Sequence, residues 1–532
     1  MNREEQLQKA IQRREPWDVI VIGGGATGLG IAVDAASRGY KTLLLERYDF
    51  AKGTSSRSTK LIHGGVRYLQ SGDVRLVLEA LKERGIMCRN APHLVRECSF
   101  VIPTYDWWET PFYGAGLKIY DLMAGKLGLS PTRLLSRDET QRFIPNVRTV
   151  GLRGGVMFSD GQFDDARMAI ALARTAVDHG ACLLNYAPVT GFMKNKQTMG
   201  GVQMLDAFTG QTLSFSARVV INATGVFASE LMKLDEPIPQ IKMSPAQGTH
   251  LVLDAAFLSG QHAILVPHTA DGRVLFAVPW QGKVVVGTTD HAVADTPAEP
   301  QARRSEVDFI LEHAGTYMTR PPTNEDVRSV FCGLRPLISK DADAPSSQLS
   351  RTHQIHVARS GLIHVLGGKW TTYRKMAEDA VDAAQSISDL PDVPCRTATI
   401  PIHGYDPGSV VGVVVGDDAG STEPPAPLGN YGTDLDEMRA RYAPTDFESI
   451  SEHLFLCPAQ VKWAVEREMA QTLEDVLARR TPCLFLDVEE SLRLAPRVVA
   501  QMADILARPP EWAEQQINDF THVARYFRLP ES

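Results

Sequence analysis

Asp18-Val19-Ile20-Val21-Ile22-Gly23-Gly24-Gly25-Ala26-Thr27-Gly28 is the stretch on which the fold turns. Val19 to Ile22 are all β-branched, the composition of a parallel strand buried on both faces, and glycines break the run at once. Residues Gly28 to Gly39 then read as an Ala-rich helix, and Thr42-Leu43-Leu44-Leu45 as a second buried strand ending at Glu46. The pattern Gly23-x-Gly25-x-x-Gly28 therefore lies between a strand and a helix. There, glycines let the backbone approach a pyrophosphate at the helix N-terminus, and an acid ending the next strand accepts hydrogen bonds from a ribose diol. Three such glycines alone are often a plain tight turn. With strand, helix and Glu46 in register they predict a dinucleotide-binding βαβ unit, with Gly23, Gly24, Gly25, Thr27, Gly28 and Glu46 as contacts.

Two later segments repeat the strand-then-glycine arrangement: Val219-Val220-Ile221-Asn222-Ala223-Thr224-Gly225, and Leu362 to Leu366 followed by Gly367-Gly368-Lys369. Distant parts of a chain returning to one large cofactor favour FAD over NAD. They add Ala223, Thr224, Gly225, Gly368, Lys369, Trp370, Thr371 and Thr372 as candidate contacts. No second Gly-x-Gly-x-x-Gly lies between a strand and a helix, so no separate nicotinamide site is expected. Further strands are expected at Arg218 to Asn222, Ala263 to Pro267, Val274 to Val278 and Val284 to Gly287, and helices near Val74 to Asn90, Asp165 to His179 and Lys375 to Ser386. This mixes parallel α/β with antiparallel β.

From Pro391, Pro, Gly and Asp become frequent through Pro424-Pro425-Ala426-Pro427, a linker-like boundary. Beyond Thr433 the pattern is helical: Leu435 to Tyr442, Pro458 to Arg480, Val488 to Leu506 with an interruption at Pro496, and Pro510 to Phe527. The first sixteen residues, with Glu4, Glu5 and Glu15 among Arg3, Lys9, Arg13 and Arg14, read as a short exposed helical arm. They have neither the apolar core of a signal peptide nor the acid-poor composition of a transit peptide.

Across 532 residues, 55 Lys plus Arg against 63 Asp plus Glu leave a charge of -8, so no global basic footprint for nucleic acid exists and any anion site is local. At 44% hydrophobic and 22% charged the composition is that of a globular protein of several cores. The seven cysteines form no Cys-x-x-Cys, which reads as a reduced cytoplasmic chain with no metal or iron-sulfur site. No run of about 18 apolar residues is present to span a bilayer.

Gly53 to Tyr68 packs hydroxyls, glycines and cations together directly after the ribose-binding acid. A polar loop whose hydroxyls cap the next helix is one reading. The other runs its backbone along the cofactor through Thr54, Ser55, Ser56, Ser58, Lys60, Leu61, His63, Gly64 and Gly65, with Arg67 and Tyr68 facing what lies over the ring.

Thr54 to Leu69, Gly333-Leu334-Arg335-Pro336-Leu337, and Gly367-Gly368-Lys369-Trp370-Thr371-Thr372-Tyr373-Arg374 with Met376-Ala377-Glu378 resemble the FAD-dependent, quinone-linked glycerol-3-phosphate dehydrogenases. Val465 to Arg480, ending Leu473-Glu474-Asp475-Val476-Leu477-Ala478-Arg479-Arg480, resembles that family's helical cap. The resemblance is weakest at Gly404 to Tyr431 and in the N-terminal arm. It implies a Rossmann-like FAD domain with an inserted antiparallel substrate domain and an all-α C-terminal cap. The corresponding boundaries are 17–95, 150–240 and 328–390 for the FAD domain, 96–149 and 241–327 for the substrate domain, and 391–532 for the cap. The implied reaction oxidises sn-glycerol 3-phosphate to dihydroxyacetone phosphate.

A phosphate dianion calls for converging arginines, whose planar fork matches its oxygens. By similarity these are Arg67, Arg335 and Arg351, with Tyr68 and Thr289 beside them. The substrate hydroxyl must lose a proton, and His250, in Gln247-Gly248-Thr249-His250, matches a family active-site histidine. Lys369 competes for that role, or stabilises charge on the reduced ring. Gln247 departs from relatives that carry a basic residue there.

With no cysteine relay, quinone or oxygen remains as acceptor, and the oxidase branch carries an insertion that this length does not obviously hold. A quinone lives in the bilayer. The aromatic stretch Trp107 to Tyr120, with Arg75, Lys82, Arg84 and Arg89 nearby, is the candidate for contact with one face of a membrane. The expected setting is cytoplasmic, peripheral on the inner face of the cell membrane, with a homodimer as a candidate assembly. Competing readings are a glycerol-3-phosphate oxidase, an FAD amine or amino-acid oxidase, and a flavin-dependent sensor.

Overall fold

The computed structural model describes residues 1–65, 73–236, 241–266, 269, 274–339, 352–407 and 427–531. Trp17–Ile22 is the central strand of the first sheet. It pairs in parallel with Thr212–Asn222 on one side and Thr42–Leu45 on the other, and Cys182–Leu184 and Ile363–Leu366 extend the parallel order outward. Both faces of the central strand are covered, which accounts for its unbroken apolar run. Val19 and Val21 pack under the helices Ala26–Ser37, Asp165–Asp178 and Tyr373–Ser386, while Ile20 and Ile22 face Leu7 and Ala10 of the N-terminal helix. Small residues let the first of these helices sit close: a Cβ at Gly30 would lie 2.8 Å from Tyr373 Cδ2.

The N-terminal helix Arg3–Gln12 is not an exposed arm. Arg3 pairs with buried Asp206 at 2.8 Å, and the amino terminus donates to the Arg467 carbonyl. The apolar positions Leu7 and Ala10 drive this docking, which charge content alone concealed.

The second sheet is mainly antiparallel and runs in the order 291–292, 246–254, 283–287, 275–280, 263–266, 95–104, 154–163 and 61–62, with 327–335 beside 246–254 and 133–136 beside 154–163. This corrects the domain boundaries. Leu61–Ile62, Gly154–Phe163 and Val327–Arg335 belong to this sheet and not to the cofactor domain, because each finds its ladder partners far away in sequence. One face is covered by the helix Arg304–Tyr317 and the other by the cap, where Val252, Trp280, Val285 and Phe331 share a core with Leu477, Leu484 and Phe485.

In the cap, the helix expected from Pro458 to Arg480 stops at Arg467, and Met469 takes a left-handed backbone (φ 59°). The chain resumes as a π-helical turn at Asp475–Arg480. Conversely, Val488–Leu506 runs unbroken through Pro496. No helix among the described residues is long and apolar enough to cross a membrane.

Candidate active site

The glycine-rich turn, Glu46 and the two later strand-glycine elements converge on one cavity. Gly23 has φ 111°, and a Cβ there would sit 2.6 Å from the Ala223 carbonyl oxygen. A Cβ at Gly28 would lie 1.9 Å from the Gly23 carbonyl oxygen, so that glycine serves strand-helix packing. Gly24 is also a packing residue, since its Cβ would meet Phe50 at 2.8 Å. Gly23, Gly25, Ala26 and Thr27 are left to line the cavity with backbone at the start of a helix, an arrangement suited to pyrophosphate.

Glu46 Oε2 accepts the Gly24 amide at 2.5 Å and Oε1 the Tyr48 amide at 2.8 Å. Each oxygen keeps a further lone pair for a ribose hydroxyl. Burial pushes this carboxyl above its ordinary pKa, against the pull of the two amides. Arg47, Tyr48 and Phe227 line the same cavity, the guanidinium within 6.0 Å of both ring centroids. This aromatic group, together with Lys52 and Pro336, escaped sequence reading. Its one signal was position directly after Glu46.

Elsewhere the cavity is bounded by Thr54, Ser55, Ala223, Thr224 and Gly225, and by Gly367, Gly368, Lys369 and Trp370. The Trp370 indole donates to the Ser55 carbonyl at 2.8 Å, and Ser55 Oγ accepts from the Ala26 amide at 2.9 Å. These residues fit the nucleotide and pyrophosphate of FAD.

Several of the expected cofactor contacts do not line this cavity. The Lys60 ammonium donates to Asp165 and to the Ser56 carbonyl, each at 2.7 Å, and sits over Trp280, Phe331 and Phe485. Ser58 Oγ also donates to Asp165, Ser56 is buried, and Leu61 joins an apolar cluster with Phe100 and Phe158. Thr372 Oγ1 donates to the Lys369 carbonyl, and Thr371 Oγ1 to that of His63. The Gly64 amide donates to Tyr120 Oη. None of these, nor Gly65, lines the cavity. Asp165, far away in sequence, takes the hydroxyl and ammonium that looked available to a ligand. Arg67, Tyr68 and Arg351 lie outside the described residues.

Residues 54–60 lie across one face of the second sheet: Thr54 Oγ1 donates to the Leu334 carbonyl at 2.6 Å, and a Cβ at Gly333 would meet the Arg57 carbonyl oxygen at 2.6 Å. On that face stand His250 and Arg335. The Arg335 guanidinium donates to Asp290 Oδ1 and the Thr289 carbonyl, both at 3.0 Å, and to Thr288 Oγ1 at 3.2 Å. It fits because residue 248 is glycine, where a Cβ would lie 2.4 Å from Arg335 Nη2. Thr289 acts through its carbonyl, its hydroxyl being bonded to Glu306 and to the Thr249 amide. Gln247 is likewise turned inward to Glu306.

His250 is buried (3% exposed), with Nε2 2.9 Å from Thr59 Oγ1 and no hydrogen-bond partner at Nδ1 among the described residues. Burial, with the charges of Arg335 and Lys60, holds its pKa well below 6.5, so the ring is neutral. Arg335 adjoins Pro336, which shares the cavity wall with Lys369.

The FAD dependent oxidoreductase family matches residues 18–374, and the family described as the C-terminal domain of alpha-glycerophosphate oxidase matches 395–516. The mitochondrial glycerol-3-phosphate dehydrogenase of Homo sapiens is 36% identical over 99% of this chain and 75% of its own length. The Schizosaccharomyces pombe protein of that name is 34% identical over 98% of this chain and 88% of its own. The chain belongs to the FAD-dependent glycerol-3-phosphate dehydrogenase family.

A glycerol-3-phosphate dehydrogenase from Bacillus halodurans, solved with FAD, superimposes over 100% of this chain and 99% of its own with TM-score 0.79 and 29% identity. The L-alpha-glycerophosphate oxidase of Mycoplasma pneumoniae, 18% identical with TM-score 0.57 over 72% of this chain and 97% of its own, shares the fold. For this glycerol-3-phosphate dehydrogenase family member FAD is the cofactor, and the cavity at Gly23 and Glu46 is where the chain's own residues suit it.

Proposed function

We propose that the protein oxidises sn-glycerol 3-phosphate to dihydroxyacetone phosphate and passes the electrons to a membrane quinone. The carrying observation is Arg335 held by Asp290, Thr288 and the Thr289 carbonyl on the same sheet face as neutral His250. Oxidation of the C2 alcohol to a ketone removes a hydride and a proton, and bound FAD accepts the hydride. Arg335 offers the substrate phosphate a planar cation already aligned by Asp290, Thr288 and the Gln247 and Thr289 carbonyls, so little side-chain entropy is lost on binding. Neutral His250 takes the hydroxyl proton, and Lys369 on the cavity wall orients the substrate oxygen.

The quinone reading is supported by a stripe on and beside the helix Glu109–Ala124: Trp107 (77% exposed), Trp108, Phe112, Ile119 and Leu122 (81%) are all in solvent. Tyr113, Leu117 and Tyr120 on the opposite side are buried, so the stripe is not needed for packing. Lys118 and Lys126 are exposed close by. An apolar stripe flanked by cations suits insertion between anionic headgroups, and this supports the reading of a peripheral enzyme on the inner face of the cell membrane. Arg84, first counted with these cations, is buried against Asp160 and has no part in it.

The test is anaerobic addition of sn-glycerol 3-phosphate to the yellow protein. The flavin band should bleach and recover with a short-chain quinone. Failure to bleach would overturn the substrate, and recovery with oxygen alone would favour the oxidase reading.

A further inference from the structure

The loop that carries Glu46 is bonded on its outer side to the C-terminal cap. Arg47, Tyr48, Ala51 and Lys52 line the FAD cavity. Asp49, between them, is fully buried and receives the cap's two consecutive arginines: Arg479 Nε at 2.6 Å, Arg480 Nη1 at 2.6 Å and Arg480 Nη2 at 2.8 Å. Arg479 also pairs with Glu474 and Asp475, and Lys52 bonds Glu474. Tyr186 closes the ring, its hydroxyl donating to Asp475 at 2.6 Å and its amide to the Tyr48 carbonyl at 2.7 Å. The loop therefore lines the cavity on one side and meets a buried ion network on the other. FAD binding and active-site chemistry account for Glu46 and Lys369, yet not for these cap arginines.

We propose that Arg479 and Arg480 are positioning residues for the cofactor, acting through Asp49 on the 46–52 loop, so that cap docking and FAD retention are coupled. Without Arg480, Asp49 keeps only Arg479 and the Asn185 amide as buried partners, and without the Asp49 charge the two arginines lose their shared counter-ion; in either case the buried charge left under-paired is hydrated only if the loop moves. That movement withdraws Glu46 and Tyr48 from the nucleotide. Coupling is reciprocal, so FAD must tighten the Asp475–Arg480 turn by the factor by which the turn tightens FAD.

The test compares holoenzyme with Arg480→Met, Asp49→Asn and, as control, Arg38→Met. The control breaks the buried Arg38–Asp34 pair at the far end of the helix Ala26–Ser37. FAD release is followed by free-flavin fluorescence after dilution, and amide deuterium uptake at 475–480 is measured with FAD bound and stripped. The expected result is at least tenfold faster release in Arg480→Met and Asp49→Asn but not in Arg38→Met. FAD should also slow exchange at 475–480 in the unmutated protein and not in Asp49→Asn. Unchanged release in folded Arg480→Met overturns the proposal. If that variant does not fold, equal exchange with and without FAD in the unmutated protein overturns it.

Discussion

His250 and Phe331 lie ring on ring, with centroids 4.7 Å apart and planes 14° from parallel. This stacking buries the imidazole and, with the Arg335 and Lys60 charges, keeps it neutral throughout the physiological range. The kcat/KM profile should therefore show no acid limb near 6.5 from this histidine. His250→Gln should lower kcat by roughly 10²- to 10⁴-fold with FAD still bound. Turnover at the unmutated rate would move the base role to Lys369.

Arg335 depends on a glycine as much as on its acceptors. In Gly248→Ala the new methyl would fall 2.4 Å from Nη2 and displace the guanidinium. We expect kcat/KM for sn-glycerol 3-phosphate to fall about 100-fold, the value of one to two charge-assisted hydrogen bonds, with FAD content unchanged. Steady-state kinetics on the reconstituted variant reads this directly. Arg335→Lys should not restore activity, because one ammonium cannot keep the planar contacts to Asp290 and the Thr289 carbonyl.

Both oxygens of Glu46 accept backbone amides, so Glu46→Gln would turn an amide NH2 against one of them. Loss of a charged hydrogen bond of about 1.5–3 kcal/mol weakens FAD binding roughly 10- to 100-fold. Fluorescence titration of stripped protein with FAD checks it, and an unchanged affinity would show that Glu46 does not meet the ribose.

His93 and His364 are buried, and burial drops each pKa to about 4. Between that value and the unfolded value near 6.5, the unfolded chain binds protons that the folded chain does not. Stability therefore rises with pH across this window and is lost as pH falls, on the order of 3 kcal/mol per histidine by pH 4. Urea unfolding of His364→Gln at pH 7 and pH 5 should show a smaller difference than the unmutated protein. Equal differences would refute the assignment.

Replacing exposed Trp107 and Trp108 by Ser removes apolar area from solvent-facing positions only. Thermal stability and activity with a soluble dye should hold, while cosedimentation with anionic vesicles and the rate with a long-chain quinone should both fall. Undiminished cosedimentation would discard this stripe as the membrane contact.

Much of the cofactor site was legible because its constraints are local. Gly23, Gly28 and Glu46 are identified by backbone conformation, close packing and strand order within one βαβ unit. The hydroxyls and cations of 54–60 were not. Ser58 and Lys60 looked available until Asp165 was brought beneath them, and Thr289 until Glu306 was. A polar side chain's availability depends on partners that no window of sequence contains. The helical character of the C-terminal region was legible from its spacing, yet its docking on Asp49 through Arg479 and Arg480 was invisible, since charge runs are ordinarily solvated.

The sequence by itself determined a dinucleotide-binding unit, its FAD, the family motifs and a helical C-terminal region, because glycine φ angles, β-branched runs and helical spacing act between near neighbours. Only the tertiary structure decided which strands join which sheet, which of the basic and hydroxyl groups face the cavity, and that the cap holds the loop behind Glu46. Those outcomes rest on burial and ion pairing between residues hundreds of positions apart, where the cost of an unpaired buried charge selects one arrangement.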